Sequence, residues 1–243
     1  MLPDDSRVAA TGLVTGLTLA LFPLFVRVRA CRRIVPVTGD FNRDVALFRE
    51  EVVEQGDFTQ DWFTVHIEGL ETVLRQFQGR AARMLEIGAF EGLSTCYFLW
   101  RLSDVQMTCI DTFAGSAGLP SGGREGLEAA FDRNIQLVDS SRVHKLVGDS
   151  RRVLLDLADE RARFVLVYVD GSHRGLDVLV DAALAWPLLE VGGIVVFDDY
   201  RWAMLGDDPL LRPGPAIDAF VGLVSTHGEV VFYDRQVALR KLT

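Results

Sequence analysis

The chain is predicted to fold as an α/β protein: a doubly wound, mostly parallel, seven-stranded Rossmann-like sheet with a C-terminal antiparallel hairpin and an N-terminal helical extension. Three observations predict it. From Ala82 onward, short apolar runs alternate with helical patterns, the order that builds a parallel sheet with helices on both faces. Phe164–Val169 is continuously apolar except for the Tyr168 hydroxyl, as expected of a strand buried on both sides. Finally, five successive strand-like runs each end in polar residues, at the edge where open α/β sheets bind ligands.

A length of 243 residues suits one large domain with an appendage, here divided as 1–58 and 59–243. The net charge of -9 disfavours a phosphate-binding surface, so no nucleic-acid partner is expected. Cys31, Cys96 and Cys109 are too scattered for a disulfide framework or a zinc site and suggest a reducing, cytoplasmic setting.

In chain order, Val8–Val26 carries no charge and is followed by Arg27, Arg29, Arg32 and Arg33, with Asp4 and Asp5 before it. It is long enough to cross a bilayer with the remaining chain on the cytoplasmic face, yet a helix packed in a homo-oligomer interface would look the same. Phe41–Gln55 reads as helical. Asp61–Phe77 reads as an amphipathic helix stopped by Gly79. Trp62 and His66 share a face of it, either packed on the sheet or turned toward a substrate.

Strands are expected at Arg83–Ile87, Gln106–Ile110, Val143–Val147, Phe164–Val169 and Gly193–Phe197, with helices starting at Ser94, Gly126, Arg151 and Leu176. Glu229–Tyr233 and Gln236–Lys241, joined by a tight turn at Asp234–Arg235, form the hairpin. The Gly-, Ser- and Pro-rich run Thr112–Glu125 leaves a strand end as a loop, a lid over bound ligand or a plain connection.

The strand ends carry the candidate chemistry. In LEIGAFEGLST (Leu85–Thr95), Gly88 admits close approach of a ligand to backbone, and Ser94 and Thr95 put hydroxyls near a helix N-terminus. Asp111 ends the second strand, where an acid can hold a ribose diol. Asp149 and Ser150 form a polar corner suited to an adenine edge, although an Asp there also caps a helix. The fourth strand delivers Asp170 and His173, and the fifth delivers Asp198, Asp199 and Tyr200.

From about Asp61 onward, the chain resembles class I S-adenosylmethionine-dependent methyltransferases. LEIGAFEGLST is similar to their first motif and Asp111 to their ribose-binding acid. YVDGSH and FDDY more narrowly resemble the metal-dependent O-methyltransferases typified by catechol O-methyltransferase, and the related bacterial sugar O-methyltransferases. The resemblance implies S-adenosylmethionine held by Glu86, Gly88, Phe90, Ser94, Asp111, Asp149 and Ser150. It implies Mg²⁺ or another divalent cation on Asp170, Asp198 and Asp199, and His173 as the base beside Asp170. Catechol-type enzymes carry Asp–Asn where this chain has Asp198–Asp199. Three carboxylates suit a hard cation holding a neutral polyol, unless Asp199 only caps the next segment.

The acceptor is then expected to be a small hydroxylated molecule, such as a sugar of a glycolipid, polysaccharide or natural product, facing Tyr200, Trp202, Trp62 and His66. Alternatives are a catechol or phenol acceptor, a nucleoside-ligand binding subunit without catalysis, and an oxidoreductase on the same scaffold.

Overall fold

The structure is a computed structural model that describes residues 40–115, 124–204 and 206–243. Val8–Val26 and most of the Thr112–Glu125 loop lie outside the described residues. Among the described residues no helix is long and apolar enough to cross a membrane.

The strands are β1 (Ala82–Ile87), β2 (Val105–Asp111), β3 (Val143–Val147), β4 (Phe164–Val169), β5 (Leu189–Phe197), β6 (Gly228–Tyr233) and β7 (Val237–Lys241). They make one seven-stranded sheet in the order β3-β2-β1-β4-β5-β7-β6. Only β7 runs against its neighbours, β5 and β6. The chain winds outward from β1 through β2 to β3, then returns to β4 on the other side of β1. The carboxyl ends of β1 and β4 therefore flank a topological switch point, where such sheets open a ligand crevice.

The helices are α1 (Phe41–Phe48), α2 (Ile67–Leu74), α3 (Leu93–Arg101), α4 (Arg124–Asn134), α5 (Ser150–Asp159), α6 (Gly175–Ala185) and α7 (Pro213–Leu223). Strand alternation sorts them into two layers. Leu166 and Tyr168 of β4 join one buried cluster with Phe48 of α1, Leu70 of α2, Phe98 of α3 and Phe131 of α4. Val167 and Val169 join the other, with Leu154 of α5, Val178 of α6 and Phe220 of α7.

Several expectations shift. The Asp61–Phe77 helix is α only over α2, with 3₁₀ turns at Thr64–His66 and Arg75–Phe77. Phe41–Gln55 ends in a π-helical turn, Arg49–Val53. Strand β5 begins at Leu189 rather than Gly193: a register shift against β4 absorbs Gly192 (φ +82°) and Gly193 inside an irregular strand. The sequence reading has no counterpart to α7. Its Pro-Gly-Pro start suggests a loop, but Pro213 stands at the first helical position, where its missing N–H costs nothing.

Candidate active site

The ladder runs past the strand ends and aligns the loops that carry the polar residues. Gly88 N–H donates to Ile110 O (2.8 Å), Gly148 N–H to Asp111 O (2.9 Å), Asp170 N–H to Ile87 O (2.8 Å) and Asp198 N–H to Val169 O (3.0 Å). On the β1–β2 side, Asp111 accepts Phe90 N–H at Oδ2 (2.8 Å) and Phe113 N–H at Oδ1 (2.6 Å). A carboxylate has about four lone-pair sites, so each oxygen keeps capacity for a ligand hydroxyl. Alternation along β1 turns Glu86 under the start of α3, where its oxygens accept the Ser94 and Thr95 hydroxyls. Glu86 is fully buried, and burial raises its carboxyl to about 7.

On the β4–β5 side, five ligating side chains converge. Asp170, His173 and Asp199 bring their ligand atoms within 4.8 Å of one another, and so do His66, Asp198 and Asp199. His173 Nε2 lies 2.7 Å from Asp199 Oδ2, and His66 Nδ1 lies 3.3 Å from Asp198 Oδ1. Tyr168 donates its hydroxyl to Asp198 Oδ2 at 2.7 Å. Burial, then the charges of Asp198 and Asp199, push the Asp170 carboxyl well above the usual range. Burial also raises Asp198, against relief from His66.

Among the described residues, four non-glycine residues have positive φ: Phe90, Phe113, Arg161 and Asp199. Two of them flank Asp111 and a third is at the carboxylate corner. Strain of this kind persists only where the surroundings over-determine it, as at ligand sites.

The methyltransferase domain family matches residues 85–200, the span from β1 to the end of β5. The chain resembles class I S-adenosylmethionine-dependent methyltransferases, and among them the metal-dependent O-methyltransferases. One similar solved structure is the MycE methyltransferase of the mycinamycin biosynthetic pathway in complex with Mg, SAH and mycinamycin VI. It is 18% identical with a TM-score of 0.59, over 82% of this chain and 54% of that one, so the chain spans about half the length of MycE. Another is an O-methyltransferase from Bacillus cereus in complex with SAH (16% identity, TM-score 0.55, 82% of this chain and 90% of that one). A third is TomG from Streptomyces achromogenes, involved in tomaymycin synthesis and bound to SAM (22% identity, TM-score 0.54, 83% and 89%). At these identities the likeness establishes the Rossmann-like methyltransferase fold. No curated protein matches the chain.

Within this methyltransferase fold, the residues expected to hold the methyl donor have three different surroundings. Gly88, Phe90 and Asp111 stand around one loop. Glu86 and Ser94 bind each other beneath it. Asp149 caps α5, accepting Arg151 N–H at 3.1 Å, while Ser150 gives its hydroxyl to buried Asp181 at 2.6 Å. Of the residues expected at the acceptor, Trp202 lies tilted against His173 with ring centres 4.4 Å apart, and Trp62 stacks on Phe90 at 5.7 Å while remaining half-exposed. Tyr200 instead turns its hydroxyl to Asp218 at 3.0 Å. A cavity of about 370 Å³ is lined by His66, Asp199, Arg201, Trp202 and Arg235. Arg201, Arg235 and Tyr168 are site residues the sequence reading lacks. Only Tyr168 left a signal, a hydroxyl in an apolar strand that needs a buried partner.

Proposed function

We propose that the protein is an O-methyltransferase that moves a methyl group from S-adenosylmethionine to a hydroxyl of a small polyol, most simply a sugar, with a divalent cation. The observation that carries this reading is the meeting of Asp170, His173 and Asp199 at the ends of two adjacent parallel strands. The residues fit a cation: Asp198 Oδ1 is buried without a hydrogen-bond partner among the described residues, and burial together with the neighbouring carboxylates raises the Asp170 carboxyl. Asp170, Asp198 and Asp199 would hold Mg²⁺, which supplies Lewis acidity that eases loss of a hydroxyl proton.

The protein's own residues do the rest. The Gly88–Phe90 loop and Asp111 bind the methyl donor at the β1–β2 side. His173, oriented by Trp202 and with the Asp199 carboxylate 2.7 Å away, takes the acceptor's proton. The oxygen so freed attacks the donor's methyl carbon, and the sulfur leaves with the electron pair. The Trp202 ring beside Arg201 and Arg235 offers an aromatic face next to hydrogen-bond donors, which suits a polyol.

The same reading takes 59–243 as the methyltransferase domain and 1–58 as an extension, with α1 packed on the domain and Val8–Val26 serving membrane attachment or self-association. The test is transfer of labelled methyl from S-adenosylmethionine to a panel of sugars and catechols, with and without chelator. Loss of turnover in chelator and recovery with Mg²⁺ is expected. Full turnover in excess chelator rules the cation out, and transfer to catechols alone rules out the polyol.

A further inference from the structure

We propose that His66 is a nitrogen ligand of the divalent cation in this cleft, forming a mixed nitrogen–oxygen set with Asp198 and Asp199 that favours a borderline transition ion over Mg²⁺. The inference rests on the reading of the cleft as a metal centre and goes beyond it in both the residue and the ion preferred.

Two buried atoms face each other without bonding. His66 Nδ1 and Asp198 Oδ1 have no hydrogen-bond partner among the described residues, although they stand 3.3 Å apart. Both atoms are buried, on side chains that are 12% and 5% exposed, so neither opens onto bulk solvent. An imidazole N–H aimed at a buried carboxylate normally closes to about 2.7–2.9 Å, because a charge-assisted bond shortens in such a setting. Adjacent ligands on an ion bound at about 2.1 Å stand roughly 3.0 Å apart in an octahedral arrangement and roughly 3.4 Å apart in a tetrahedral one. The observed separation falls between these. Asp199 lies within the same 4.8 Å group, so the three donors can surround one point.

His66 is held at this spot by the fold. It ends the 3₁₀ turn that leads directly into α2, and α2 is tied to α3 by a buried bidentate pair, Arg101 Nε to Glu71 Oε1 (2.7 Å) and Arg101 Nη2 to Glu71 Oε2 (2.8 Å), to which Tyr97 adds a hydroxyl bond (2.8 Å). The preceding turn is closed by Asp61, which accepts Thr64 N–H at 2.9 Å. Asp198 is fixed from behind by Tyr168. Both donors are thus preset before any ion arrives. Mg²⁺ takes oxygen ligands, whereas imidazole suits Mn²⁺, Co²⁺ and Zn²⁺ increasingly well, so one nitrogen in the set shifts the preference.

The test uses the full-length protein, stripped with chelator and loaded with Mn²⁺ alone. Pulsed electron paramagnetic resonance reads nitrogen-14 coupling to the ion, and calorimetry reads Mn²⁺ and Mg²⁺ affinity. Because His173 is a second imidazole nearby, it is removed separately. The coupling is expected in the wild type and in His173→Gln, and is expected to vanish in His66→Gln, where Mn²⁺ affinity falls by at least about tenfold and Mg²⁺ affinity by less. His66→Asp, which restores a donor through oxygen, should regain Mn²⁺ affinity without the coupling. Binding of S-adenosylhomocysteine checks that the variants are folded. Mn²⁺ binding without nitrogen coupling in the wild type or in His173→Gln overturns the proposal whatever the variants do at His66. So does coupling or Mn²⁺ affinity that His66→Gln leaves intact. A wild-type protein that binds Mg²⁺ but no Mn²⁺ overturns this proposal alone, and one that binds neither ion overturns the metal-centre reading as well.

Discussion

A Cβ on Gly88 would stand 2.1 Å from the carbonyl oxygen of Asp170, so the β1 loop and the end of β4 fit together only because residue 88 is glycine. The contact joins the two halves of the site. The loop that carries Phe90 toward Asp111 is seated directly on the residue that opens the carboxylate corner. Gly88 also has φ +90°, a conformation side chains resist.

Gly88→Ala is therefore expected to destabilise the fold by at least about 2 kcal/mol and to weaken binding of S-adenosylhomocysteine, since neither backbone can give way without breaking a ladder bond. Denaturant unfolding and calorimetry check it. An unchanged midpoint would mean that the two loops separate freely.

Asp111→Ala is expected to cost about 1–3 kcal/mol of methyl-donor binding, and more than a ribose contact alone would suggest. The carboxylate also holds the N–H groups of Phe90 and Phe113, so its removal loosens the loop. Asp111→Asn, which keeps one acceptor, should fall between the wild type and Asp111→Ala. Equal affinity in all three proteins contradicts the assignment.

Burial of Glu86 gives a pH signature. The folded protein keeps this proton to about 7, whereas the ordinary value is 4.5. Between the two, the folded state binds more protons than the unfolded chain, so stability falls as pH rises through the window. The total is about 3 kcal/mol, complete above the folded value. Glu86→Gln should remove that slope and be the more stable protein in alkaline buffer. Urea unfolding at about pH 5 and about pH 8 measures it. A variant whose slope matches the wild type shows that Glu86 titrates normally.

The Glu71–Arg101 pair is expected to behave as a buried ion pair. Arg101→Met leaves the buried Glu71 carboxylate only the exposed Arg75, 4.0 Å away, as a counter-charge and should cost about 3–5 kcal/mol, whereas Arg101→Met combined with Glu71→Leu should cost much less than the sum. A thermodynamic cycle on unfolding free energies reads the coupling. Additive losses would mean that the bidentate contact contributes only packing.

How much of this was legible in the sequence depends on the range of the signal. Strand β4 was legible because the continuous apolar run Phe164–Val169 marks a strand buried on both faces without knowledge of its partners. The carboxylate corner was legible for the same local reason: Asp170, His173, Asp198 and Asp199 leave the ends of strands whose direction the pattern sets. The pairing of His66 with Asp198 was not, because it depends on how α2 docks, and that is decided by Arg101 and Tyr97 of α3 meeting Glu71. Helix α7 was hidden by Pro213, Gly214 and Pro215, which suit a helix start as well as a loop. Asp149 illustrates a third limit. An acid between a strand and a helix has the same sequence signature as a cap or as a ligand, and here its side chain caps α5.

His173 and His66 both reach the carboxylate corner, and their roles separate kinetically. His173 lies against Trp202 and Asp199, two residues of the cavity wall, whereas His66 lines the cavity but turns Nδ1 to the buried oxygen of Asp198. An aliphatic hydroxyl needs a base at neutral pH even beside a cation. His173→Ala should thus cut single-turnover methyl transfer by about 10²–10⁴-fold, leave the affinity for S-adenosylhomocysteine nearly unchanged, and gain nothing from excess metal. His66→Gln should also slow transfer at limiting metal, but saturating Mn²⁺ should recover most of the rate, because the deficit lies in holding the ion and not in moving the proton. Rapid-quench measurements on both variants across a metal titration distinguish the two. If His173→Ala keeps most of its rate while His66→Gln stays slow at every metal concentration, His66 is the base and the assignment of His173 is wrong.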